Sequence, residues 1–195
     1  MARAAWLSFA MRLPSAILIG CALLAGAGLS ARADQADPRL DALFTQLKAD
    51  PNEAGAMATE QRIWAIWLEV EDEAAAGLLK SGMDAMNDGD LAAALASFDA
   101  LVAKAPGFAE GWNKRATLHY MLGNYAESLA DIEKTLALEP RHFGALAGRG
   151  LVHGKLEDFA GSLASFEAAL AVNPHLPGAR ASVKELRRIL KQREI

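Results

Sequence analysis

The sequence predicts an all-α chain in which helical hairpins stack into an α-solenoid, and three observations predict it. Proline returns at a fixed interval of 34 residues, as Pro106, Pro140 and Pro174. A Leu- and Ala-rich run precedes each proline, read as LVAKAP, LALEP and LAVNP. Beyond the first thirty residues Ala, Leu and Glu dominate and β-branched residues are sparse, which favours helix. Self-similarity at this period marks an array of two-helix units, each of which needs a neighbour to bury its apolar side.

Set in register, the repeats run over 75–108, 109–142 and 143–176. Their fourth position carries Leu78, Trp112 and Leu146, and their eighth Gly82, Ala116 and Gly150. The twentieth is again small, as Ala94, Ser128 and Ser162, and the twenty-fourth is bulky, as Phe98, Ile132 and Phe166. Two antiparallel helices approach closely only where the crossing residues are small, with large side chains filling the space beside them. The closing proline then stops the second helix and turns the chain into the next unit.

The turns agree with this division. Asp90, Asn124 and Asp158 share the sixteenth position and suit the N-cap of each second helix. Gly89 and Gly123 precede two of them and suit a left-handed helix end, whereas the third repeat has Glu157 and predicts an altered turn. Glu127 stands three residues after Asn124, the spacing of a capping box.

Across 75–176 these positions resemble the tetratricopeptide repeat family, whose usual pattern is Trp or Leu at four, Gly or Ala at eight, a Tyr-type residue at eleven, Ala at twenty, an aromatic at twenty-four and Pro at thirty-two, and match it at most positions. The resemblance implies three consecutive antiparallel hairpins whose first helices line a concave face that binds an extended peptide or partner helix. By the same resemblance the lining comprises Leu79, Lys80, Met83, Met86 and Asn87 from the first repeat. The second contributes Glu110, Asn113, Lys114, Thr117, Tyr120 and Met121. The third contributes Ala147, Gly148, Leu151, Gly154 and Lys155. The carboxylate clamp of chaperone-binding members is incomplete, because position five reads Leu79, Asn113 and Ala147 and position six lacks Arg. An apolar, Met-containing groove edged by Lys80, Lys114 and Lys155 suits a partly hydrophobic segment flanked by acids.

An open stack exposes an apolar face at each end, so caps are expected. Over 177–195, Val183, Leu186, Ile189 and Leu190 fall at helical spacing after Pro177, which predicts a C-terminal capping helix. Its basic residues Arg180, Lys184, Arg187, Arg188, Lys191 and Arg193 predict a solvated outer face. Upstream, 34–74 forms an N-terminal extension. Asp37-Pro38 and Asp50-Pro51 each read as an N-cap and first-turn proline, predicting helices over about 38–48 and 51–71. In the second, Ile63, Ile66, Trp67 and Val70 form an apolar stripe expected to pack on the first repeat. The sharper alternative is an exposed Trp64/Trp67 patch.

The opening residues carry Arg3 and Arg12, then an apolar run from Leu13 to Leu29, then Ala31-Arg32-Ala33. That order predicts a secretory signal peptide over 1–33, cleaved after Ala33, and hence a periplasmic protein. The alternative is membrane attachment, through an uncleaved segment or through lipid on Cys21 in Leu18-Ile19-Gly20-Cys21. Without residues 1–33, which hold three Arg and no acid, 17 basic and 24 acidic residues leave a net charge of −7 and no cysteine. Disulfides are then excluded, and the acidity argues against nucleic acid as a partner.

No arrangement of chemistry-bearing residues announces an enzyme. Gly148, Gly150 and Gly154 imitate a dinucleotide loop but fall inside a helix, without the preceding strand such a loop requires. His119 and His153 recur without a third ligand, so no metal is expected, and no cofactor either. Arg115 is expected to pair with Asp131, whereas Arg149 faces Ser165 and needs another partner. The chain is therefore expected to be a non-enzymatic scaffold or assembly factor of the bacterial envelope that grips a protein partner.

Overall fold

The computed structural model describes residues 37–193. The signal peptide expected over 1–33, its cleavage point and Cys21 lie outside the described residues. Among those residues nine helices follow in order, with no strand: α1 (Pro38–Ala49), α2 (Glu53–Trp67), α3 (Glu73–Asp88), α4 (Leu91–Lys104), α5 (Ala109–Leu122), α6 (Tyr125–Leu138), α7 (Phe143–Lys155), α8 (Phe159–Val172) and α9 (Pro177–Arg193). Helices α3 and α4, α5 and α6, and α7 and α8 form three antiparallel hairpins, and each hairpin packs on the next. This is the α-solenoid that the repeat predicts.

The small positions are where the helices cross. A Cβ on Gly82 would stand 2.4 Å from the Phe98 ring, and one on Gly150 would stand 2.8 Å from the Phe166 ring. Phe98 is fully buried, a burial that contributes about 2 kcal/mol. Serine serves the opposite small position for a second reason. The Ser128 hydroxyl donates to the Ala116 carbonyl at 2.8 Å and the Ser162 hydroxyl to the Gly150 carbonyl at 2.7 Å. Each hydroxyl thus ties the second helix of a hairpin to the backbone of the first.

The turns between paired helices follow one plan. Gly89 and Gly123 end α3 and α5 at φ of 79° and 78°, and Glu157 adopts the same left-handed region at 58° despite its side chain. Asp90 and Asp158 then accept from the amides of Ala93 and Gly161 at 3.0 and 2.9 Å. Asn124 occupies the cap of α6 without a side-chain bond, so the capping box with Glu127 does not form.

The C-terminal end matches expectation, whereas the N-terminal end differs in detail. Asp37 does cap α1, accepting from the Arg39 amide at 2.7 Å. The second helix starts two residues later than its Asp-Pro suggests, because Asn52 accepts from the Gly55 amide at 2.8 Å. Asp50 instead accepts from the Asn52 amide at 3.0 Å and closes the turn before it. At the other end α9 buries Ala179, Val183 and Leu186 against Phe166, as a cap should.

Candidate functional site

Helix α2 does not pack on the first repeat alone. It runs along the array past the turns that join one hairpin to the next. Its start lies near α9, where Arg180 stands 3.7 Å from Glu53. Two turns further the Asn173 side chain, in the turn after α8, donates to Glu60 at 2.9 Å. Its last turn places Trp64 and Trp67 against His142 and Phe143, at the start of α7. Only Leu68 and Val70, beyond its end, reach the core of the first hairpin. The Ile63, Ile66 and Trp67 stripe packs instead on α1 and Phe143, and Trp67 is buried rather than presented to a partner.

The seat under the tryptophans is built from a polar network. His142 is the N-cap of α7: its Nδ1 accepts from the Ala145 amide at 3.0 Å. An Nδ1 that accepts carries no proton, so Nε2–H donates to Glu110, at 2.9 Å. Asn113 donates to the same carboxylate at 3.0 Å, and the Lys114 ammonium lies 3.0 Å from its other oxygen. Burial pushes the Glu110 carboxyl up, but the His142 hydrogen bond and the Lys114 charge outweigh it and hold it below the usual carboxylate range. Lys114 also stands 5.8 Å over the Trp64 ring. A Cβ on Gly144 would meet that ring at 2.7 Å, so the absence of a side chain there admits Trp64.

The residues expected to line the groove therefore separate into three groups. In the first repeat Leu79 belongs to the hairpin core with Ala75 and Phe98, and Met83 and Met86 lean on it. Lys80 is exposed but paired with Asp84, and Asn87 is exposed. In the second repeat Glu110 and Asn113 are buried, and Lys114 is spent on Glu110. Thr117 is exposed, its hydroxyl donating to the Asn113 carbonyl at 2.9 Å.

The third group shares an open trough. A cavity of about 530 Å³ between α7, α8 and α9 is lined by Tyr120, Leu151, Lys155, Phe166 and Leu186 among others. A second of about 300 Å³ shares Leu151, Phe166 and Ser182 with it and extends to Ala147, Leu176 and Pro177. A third of about 70 Å³, between α5 and α7, also ends on Leu151 and holds Thr117 and Gly148. Leu151 is 48% exposed at the meeting point, and Met121 on α5 is 52% exposed. Lys155 forms no ion pair within the described residues. The trough thus offers an apolar floor, the free cation of Lys155 and, on α9, the Glu185 carboxylate held by Arg188.

The arginines at the recurrent position are structural. Arg115 clasps Asp131 at 2.7 and 2.8 Å and reaches Asp99 at 2.7 Å. Arg149 donates to Ser165 and Glu133, both at 3.2 Å. His153 Nδ1 lies 2.9 Å from Asp158. Among the described residues no group of three or more His, Cys, Asp or Glu side chains converges on a metal position. None of their helices is long and apolar enough to cross a membrane.

Comparison with known proteins agrees with the repeat. The tetratricopeptide repeat family profile matches residues 79–142. A TPR repeat-containing protein of Rhizobium etli is 42% identical over 92 residues, 45% of this chain and 43% of that protein. The chain thus spans under half the length of that relative. Among solved structures, the TPR domain of Arabidopsis OM64 aligns with a TM-score of 0.58 at 21% identity, over 60% of this chain and 96% of that one. The first TPR of Spaghetti (RPAP3), bound to an HSP90 peptide, aligns at 0.60 and 18% identity, over 62% and 96%. MamA aligns at 0.59 and 16% identity over a longer stretch, 77% of this chain and 86% of that one. These likenesses are to the fold.

Proposed function

With repeats of the tetratricopeptide family, this chain is, we propose, a non-enzymatic module that captures a segment of another protein in the trough between α5, α7 and α9. The observation that carries this reading is the exposure of Leu151 at the junction of three connected cavities. Exposed apolar surface of this kind is costly to leave in water and is recovered when a partner covers it. The free Lys155 at its edge adds a preference for a carboxylate beside the apolar contact. A structural relative bound to an HSP90 peptide supports a groove that takes a peptide. The seat at Glu110, Asn113 and Lys114 is filled by α2, so the segment would lie further along the array than the family pattern suggests.

The apolar leader with Arg3, Arg12 and Ala31-Arg32-Ala33 supports a place in the bacterial envelope, on its periplasmic side. There the chain would act as a scaffold or assembly factor, with any chemistry supplied by its partner. Replacing Leu151 by Asp together with Lys155 by Glu tests the capture. The expected result is about a tenfold loss of a partner co-purifying from envelope extract, equal to about 1.4 kcal/mol, with helicity unchanged. Undiminished recovery would contradict the trough as the capture surface.

A further inference from the structure

The aromatic seat on the array is occupied in cis, and its polar framework is drawn from the array itself. His142 is fixed by the Ala145 amide on one nitrogen and Glu110 on the other. Glu110 is in turn held by Asn113 and Lys114. All five residues belong to the array.

The occupant, by contrast, is imperfectly held. Close backbone packing joins α2 to α1, whereas the array is reached through side chains. Two of the charged links to the array, Asp41 with Arg141 and Glu53 with Arg180, use carboxylates whose side chains are 81% and 82% exposed. Such pairs contribute little in water. Two buried polar atoms of α2, Trp67 Nε1 and Thr59 Oγ1, have no hydrogen-bond partner, and on the seat Glu110 Oε1 has only the Lys114 charge; each unmet donor or acceptor weakens the docking. The connection to the array, residues 68–72, rests on the core of the first hairpin through Leu68 and Val70, so displacement concerns α1 and α2 alone.

We propose that the surface formed by Lys114, His142, Phe143 and Gly144 is a second protein-binding site, which accepts a helix presenting two aromatic rings three residues apart. The α1–α2 hairpin fills this site as a displaceable internal occupant. The external ligand is a helix of another protein with a carboxylate one turn before its first ring. That carboxylate meets Asn173 as Glu60 does now, the first ring enters the space above Gly144, and the second stacks on His142. Lys114 faces the first ring with its ammonium. This site stands on its own geometry and adjoins the trough only at the small cavity between α5 and α7, which Asn113 and Gly144 line together with Leu151.

The test uses the full chain and a fluorescent peptide of residues 52–70, which carries the pattern. In Trp64→Ala/Trp67→Ala the site is vacated without altering the array. The peptide is expected to bind this variant about tenfold or more tightly than the wild-type chain, where the internal hairpin competes. Adding Gly144→Leu, which fills the ring's space, is expected to remove the gain, while Leu151→Asp leaves it intact. Equal binding to wild type and variant, or no binding to the variant, would overturn the proposal. A variant that forms a dimer through exchanged hairpins would also overturn it, by assigning the site to a second copy. If the variant loses helicity, hydrogen exchange of the wild-type chain decides. The amides of α1 and α2 should then exchange together and ahead of those of α5 and α7. Equal protection across these helices would refute a displaceable hairpin.

Discussion

Trp67 lies flat on His142, with ring centroids 4.1 Å apart and planes 9° from parallel. Neither side chain has appreciable contact with water. The imidazole edge is committed at both nitrogens, to a helix amide and to a buried carboxylate. One residue thus caps α7, orients Glu110 and carries the N-terminal hairpin.

Acid sensitivity should report on that carboxylate. Its proton affinity is depressed in the folded chain, so its contribution to stability is complete above the unfolded carboxyl value of about 4.3. It is lost as pH falls through the lower folded value. Glu110→Gln should therefore destabilise the chain at pH 7, by about 2 kcal/mol, and the gap to wild type should shrink on strong acidification. Urea unfolding of both chains across that range measures it, and a gap independent of pH would count against the network.

Lys114 should behave as a structural residue. Lys114→Glu sets a second carboxylate beside Glu110 and removes the cation over Trp64, at a cost of about 2 kcal/mol or more. Thermal unfolding should show the loss, and tryptophan emission should shift as the hairpin loosens. A variant as stable as wild type would mean that Lys114 is free to serve a partner.

The crossing glycine of the first hairpin should resist even the smallest substitution. Gly82→Ala gains about 1 kcal/mol of helix propensity. It also drives a methyl into the wholly buried Phe98 ring, and overpacking costs about 1–3 kcal/mol. A net fall in thermal stability is expected. A rise would show that Phe98 moves aside freely.

The array was legible because each hairpin repeats the same packing problem. Gly82 and Gly150 recur for the phenylalanines they face, and Ser128 and Ser162 for the carbonyls they bind. The left-handed turn persists even at Glu157, where the residue type argues against it. The seat was not legible, since it joins residues that share no period. Trp64 and Gly144 meet across 80 positions of sequence, and His142 makes its cap bond at a register where Phe108 caps α5 without one. The one available signal was Glu110, an acid at a position whose neighbours Asn113 and Lys114 could satisfy it. Periodicity marks the surface that a repeat presents, but it does not say what covers that surface.

The capture surface itself is tested most directly by placing a photo-crosslinking side chain at position 151 of the otherwise natural chain, expressed in its native host. Irradiation should join it to one discrete polypeptide, at a segment combining apolar residues with an acid, whereas the same group at the exposed Lys134 should yield none. Absence of any adduct from position 151, or the same mixture from both positions, would contradict a trough that holds another protein.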